Sequence, residues 1–99
     1  MWSVWYPLVD TPLEVGPLAV VPGSHKKKWP HVDRWTGINV PRNVTWATRD
    51  VRPGDMVAYD ASTVHCAWSN VSPNSVRLAL DVRYEPIGTP NSVLRAGVQ

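Results

Sequence analysis

Ninety-nine residues make one small domain at most, and a composition of 43% apolar and 18% charged residues is that of a folded globular chain rather than a disordered one. A formal charge of +2 is too small to mark a nucleic-acid surface, and the single cysteine excludes an internal disulfide framework or a multi-cysteine zinc site. No apolar run approaches the roughly 18 residues of a membrane span, and no signal peptide is legible at the N-terminus, so a soluble cytoplasmic protein without membrane or nucleic-acid partners is expected.

In chain order the elements read as β throughout. Trp2 to Val9 is rich in aromatic and β-branched residues and stops at Asp10-Thr11-Pro12. Leu18 to Val21 is a short apolar run entered through Gly16-Pro17 and left through Pro22-Gly23. Residues 24–43 read as a long polar loop containing Lys26-Lys27-Lys28, a solvated charge run by the ordinary reading. Val44 to Thr48 is a further strand candidate, and Pro53-Gly54-Asp55 is a turn into a strand from Met56 to Tyr59. Asp60-Ala61-Ser62-Thr63 turns the chain into Val64 to Trp68. Val76 to Tyr84 then alternates, with Val76, Leu78, Leu80, Val82 and Tyr84 on one face and Arg77, Ala79, Asp81 and Arg83 on the other. The domain is expected over residues 1–86, with 87–99 as an irregular tail, and short strands at this spacing suggest a sandwich or barrel.

Few side chains here carry chemistry. Cys66 lies in an apolar stretch and reads as a packing residue. The sequons at Asn43 and Asn70 have no secretory context to give them meaning. His65 sits on the face of its strand opposite Val64, Cys66 and Trp68, with only Ala67 beside it. Arg77 follows twelve residues later on the next strand, and two strands joined by a turn are expected to be neighbours in a meander. An imidazole that can ligate a metal and a guanidinium that can fork a carboxylate would suit a metal plus a dicarboxylic acid. Spacing alone leaves open whether Arg77, Asp81 and Arg83 are merely a solvated charged face.

Several blocks, in order and spacing, resemble the phytanoyl-CoA dioxygenase family. They are Trp5-Tyr6-Pro7-Leu8, Gly16-Pro17-Leu18, Val21-Pro22-Gly23-Ser24-His25, Pro53-Gly54-Asp55-Met56-Val57, His65 and Arg77-Leu78-Ala79-Leu80. The resemblance implies an all-β fold, a double-stranded β-helix of jelly-roll or cupin-like type, of which residues 1–86 form the C-terminal part as a partial barrel. It implies Fe(II) and 2-oxoglutarate as cofactors. His65 corresponds to the distal histidine of the iron site, Arg77 to the arginine that grips the far carboxylate of 2-oxoglutarate, and Trp5 to an aromatic lining the cosubstrate pocket. His25 corresponds to the end of the Pro-Gly-Ser-His turn and is read as structural.

The chain also departs from the family pattern. The family's His-x-Asp ligands belong on a strand ahead of the one equivalent to Trp2–Val9, so the metal site is expected to be incomplete here. His31-Val32-Asp33 has the right form but lies after the Pro-Gly-Ser-His turn, and is read as a coincidental loop motif. Val15 stands where asparagine is common, and Ala67 where some relatives carry a hydroxyl. The expected activity is therefore that of a dioxygenase fragment acting on an unknown small molecule. The alternative is a non-catalytic β-barrel binding module whose Trp29 and Trp35 stack on flat ligands. Strand edges and the Val76–Tyr84 apolar face, left uncovered, are expected to promote self-association.

Overall fold

The computed structural model describes residues 1–29, 31–33, 37–38 and 40–88, and is all-β. The strands are β1 (Trp2–Pro7), β2 (Leu18–Val20), β3 (His31–Asp33), β4 (Gly37–Ile38), β5 (Val57–Asp60), β6 (His65–Ala67) and β7 (Ala79–Tyr84). Single 3-10 turns at Leu13–Val15 and Ser24–Lys26 interrupt the connections. Antiparallel ladders join β5, β1 and β7 in one sheet, β2 and β6 in a second, and β3 and β4 in a third. This is a partial jelly roll.

Alternation decides what each strand buries. In the first sheet Trp5 pairs with Val57 on one side and Asp81 on the other, while Ser3 pairs with Tyr59 and Arg83. Paired residues share a face, so Ser3, Trp5, Val57, Tyr59 and Ala79 point together towards the second sheet. There Trp5, Tyr59, Leu18 and Val51 form the buried core, with Val20, Val57 and Ala79 packed against them. Pro7 ends β1, having no N–H to continue the central ladder. The opposite face of this sheet is apolar and exposed at Trp2, Leu80 and Tyr84, continued by Leu78.

Side-chain and backbone bonds tie the second sheet to its surroundings. Ser24 is buried; its hydroxyl donates to the Val21 carbonyl at 2.6 Å and accepts the Val64 N–H at 2.8 Å. Thus the turn after β2 is stapled to the entrance of β6. Gly16 has φ 90, and a Cβ there would overlap the Trp68 carbonyl oxygen, so only glycine fits where the chain enters β2.

Three expectations change. Val44 to Thr48 forms no strand; Ala47 makes a single bridge to Val20, and the next bond to β2 comes from the Thr48 hydroxyl, which donates to the Leu18 carbonyl in place of a backbone rung. The polar stretch 24–43 contains a 3-10 turn and the short β3–β4 ladder instead of continuous loop. The meander fails as well. β6 pairs with β2 and β7 with β1, so the strand of His65 and the strand following Arg77 lie in different sheets. The Ser69–Ser75 connection is long enough to cross between layers rather than make a hairpin, and Asn70 and Ser72 close it locally. Most of the expected tail, 89–99, lies outside the described residues.

Candidate functional site

His65 opens β6 opposite Val20, whose side chain packs on the core, so the imidazole emerges on the side facing the first sheet. It is exposed, and its ring lies 4.7 Å from that of Tyr59, inclined at 48°. Nδ1 is 2.8 Å from the Thr63 carbonyl oxygen. A carbonyl can only accept, so Nδ1 carries the hydrogen and Nε2 keeps its lone pair, the tautomer a metal-ligating histidine adopts. Burial pushes the Tyr59 phenol above its usual range, helped by the Asp81 carboxylate, while a Ser3 hydrogen bond and Arg83 act the other way. Tyr59 is thus a neutral aromatic wall for the imidazole.

Arg77 is half-buried just ahead of β7. Its Nη1 donates to the Gly16 carbonyl at 2.9 Å and the Trp68 carbonyl at 3.2 Å. Both bonds use Nη1, so they do not consume the Nε–Nη2 edge that can grip a carboxylate bidentately. The two anchoring carbonyls flank one end of the β2–β6 ladder, and His65 stands at the other. Trp68 is three residue steps beyond His65, roughly 10 Å along the ladder. The two groups are therefore brought to one ladder from different sheets rather than from adjoining strands.

The other candidates fall elsewhere. Trp5 is buried in the core with Leu18, Val51 and Tyr59, and Tyr59 in turn lies near His65. His31 and Asp33 lie on β3, and their side chains are outside the described residues. Cys66 sits half-buried opposite the fully buried Ala19, and burial raises its thiol above the ordinary range, which agrees with a packing role. In the Pro-Gly-Ser-His turn the structural residue is Ser24 rather than His25, which is exposed; a hydroxyl both donates and accepts, which the staple to Val64 requires.

A cleft of about 1070 Å³ opens beside His65. Its walls come from the turn before β6, from the His25–Trp29 segment, and from Val40 and Trp46. Adjacent strand residues face opposite ways, so a cleft touching both His65 and Cys66 wraps the edge of β6. Tyr59, Ser24 and Trp46 carried no sequence signal linking them to His65. The alternation of Val57 and Tyr59 marks the phenol as inward-facing, but nothing local says which strand it meets.

The family model for phytanoyl-CoA dioxygenase matches residues 1–79. The chain belongs to the phytanoyl-CoA dioxygenase family. No curated protein matches it. Members of this family are generally Fe(II)- and 2-oxoglutarate-dependent dioxygenases, and the matched stretch includes both His65 and Arg77. A non-haem iron centre of this type takes two histidines and a carboxylate on one face. Among the described residues, no group of three His, Cys, Asp or Glu side chains comes together to hold a metal ion. They fit one ligand of such a centre, His65, and do not make a complete one. Also among the described residues, no helix is long and apolar enough to cross a membrane.

Proposed function

We propose that this chain supplies the C-terminal part of the catalytic barrel of an Fe(II)- and 2-oxoglutarate-dependent dioxygenase acting on a small molecule in the cytoplasm. His65 is the distal iron ligand, Arg77 anchors the far carboxylate of 2-oxoglutarate, and Trp5 backs the cosubstrate space. The reaction of the complete site would be hydroxylation of a substrate C–H bond with O₂ as oxidant, one oxygen atom going to the substrate and the other to succinate as 2-oxoglutarate loses CO₂. What carries the reading is the pairing of an oriented imidazole with a tethered guanidinium on one ladder. Nε2 of His65 is left with a lone pair by the Thr63 bond, and Arg77 is held by two carbonyls at the ladder's far end. The roughly 10 Å of ladder between His65 and the Trp68 carbonyl that tethers Arg77 is of the order of an extended five-carbon dicarboxylate plus a metal bond.

Anaerobic titration with Fe(II) and with 2-oxoglutarate tests this. Arg77→Ala is expected to weaken 2-oxoglutarate binding by about ten- to a hundred-fold, the worth of one or two charge-assisted hydrogen bonds. His65→Ala is expected to abolish the weak Fe(II) binding of the wild type. Equal affinities across the three proteins would remove both assignments.

A further inference from the structure

The cleft beside His65 has a one-sided charge. Lys26, Lys27 and Lys28 all line it, together with His25, and among the described residues no Asp or Glu does. Asp60, next in sequence to the Ala61–Ser62 part of the wall, is held below the usual carboxylate range chiefly by the Ser62 N–H, with the N-terminal ammonium and His25 acting the same way. Beside the polar Ser62–Thr63 turn, the wall carries three apolar, half-buried side chains, Trp29, Val40 and Trp46. Trp29 is fixed by a 3.0 Å bond from Nε1 to the Ser24 carbonyl, and the Lys27 ammonium lies 4.8 Å from its ring centroid. Trp46 is braced by Trp68, with ring centroids 5.8 Å apart. At about 1070 Å³ the space reaches the upper end of the roughly 300–1,000 Å³ of small-molecule sites.

We propose that this cleft binds an organic anion. A flat or apolar body lies against Trp46, Val40 and Trp29, and a carboxylate or phosphate is held by Lys26 and Lys28, with Lys27 committed to the Trp29 ring. Ammonium groups act as point charges and suit either anion, and a cleft walled by apolar side chains focuses their field. The solvated-loop reading of the lysine run accounts for its exposure, but not for its convergence on a cavity with two anchored indoles. The proposal deepens the dioxygenase reading by making the anion its substrate. The binding itself requires neither iron nor Arg77.

Calorimetric titration with 2-naphthoate, 2-naphthyl phosphate and the uncharged 2-naphthamide tests it on the full chain. One or both acids are expected to bind about ten-fold tighter than the amide at low salt, the better of the two naming the anionic group. Lys26→Glu with Lys28→Glu is expected to erase that preference, and the milder Lys26→Gln with Lys28→Gln to reduce it, both with the thermal unfolding of the wild type. Trp46→Ala is expected to weaken all three probes. Amide binding as tight as that of the acids, or an acid preference untouched by the lysine changes, overturns the proposal. The lysine variants keep the Arg77-dependent affinity for 2-oxoglutarate, so loss of the cosubstrate reading and loss of the anion cleft give different results.

Discussion

At the scale of single residues, the informative side chains are those whose orientation something else dictates. Thr63 sets the tautomer of His65, and Tyr59 limits the tilt of its ring. Because Tyr59 is buried with a raised pKa, its contribution to stability is fully present below the ordinary tyrosine value of about 10 and is lost as pH rises through the higher folded value. Thermal unfolding between pH 8 and 11 should therefore show an alkaline loss of stability that Tyr59→Phe diminishes. An unchanged alkaline limb would mean that the phenol titrates as it does when unfolded. Gly16 governs Arg77 in the same way. Its positive φ and the Trp68 carbonyl leave no room for a methyl group, and the Arg77 Nη1 lies 3.0 Å from where that methyl would be. Gly16→Ala is expected to cost about 2–4 kcal/mol in chemical denaturation, combining left-handed strain with a displaced backbone. It should also weaken 2-oxoglutarate binding by displacing the guanidinium, with Arg77 itself unmutated.

At the scale of elements, β6 is short and holds its place through few contacts. Three rungs to β2 and the Ser24 staple position His65, so the staple matters more than one hydrogen bond in a long strand would. Ser24→Ala removes a buried acceptor from the Val64 N–H and a donor from the Val21 carbonyl. The expected cost is about 1–3 kcal/mol, and hydrogen exchange should show faster exchange at Val64 and along His65–Ala67 than in β1. Uniform exchange through both sheets would deny the staple its local role. Strand patterning was legible for β1, β2, β5, β6 and β7, all short runs bounded by Gly, Pro or Asp turns. Pairing was not. A polar connection of the Ser69–Ser75 length serves a hairpin or a crossover equally well, and the choice depends on which edge the far strand finds.

At the scale of the whole molecule, the layers are unequally covered. The inner face of the β5–β1–β7 sheet meets β2, β6 and Val51, while the outer face leaves Trp2, Leu78, Leu80 and Tyr84 each about half exposed or more, at 57%, 55%, 52% and 51%. A contiguous apolar face of this kind, beside the edges of β5 and β7, favours association with another surface. Light scattering is expected to show a mass that rises with concentration, and Leu78→Lys with Leu80→Lys should lower it without loss of stability. A constant monomer mass at high concentration would remove the self-association reading.

The sequence by itself determined the all-β class, the turn positions, the alternation that divides Leu80 from Ala79, and the family, because these depend on neighbours a few residues apart or on ordered motifs. His65 and Arg77 were also identifiable as candidates from those motifs. Only the tertiary structure decided that they come from different sheets, that Ser24 rather than His25 secures the turn, and that Lys26–Lys28 share a cleft with His65. Those relations depend on long-range strand pairing and on the packing of two layers, where residues forty or sixty positions apart compete for the same few hydrogen bonds.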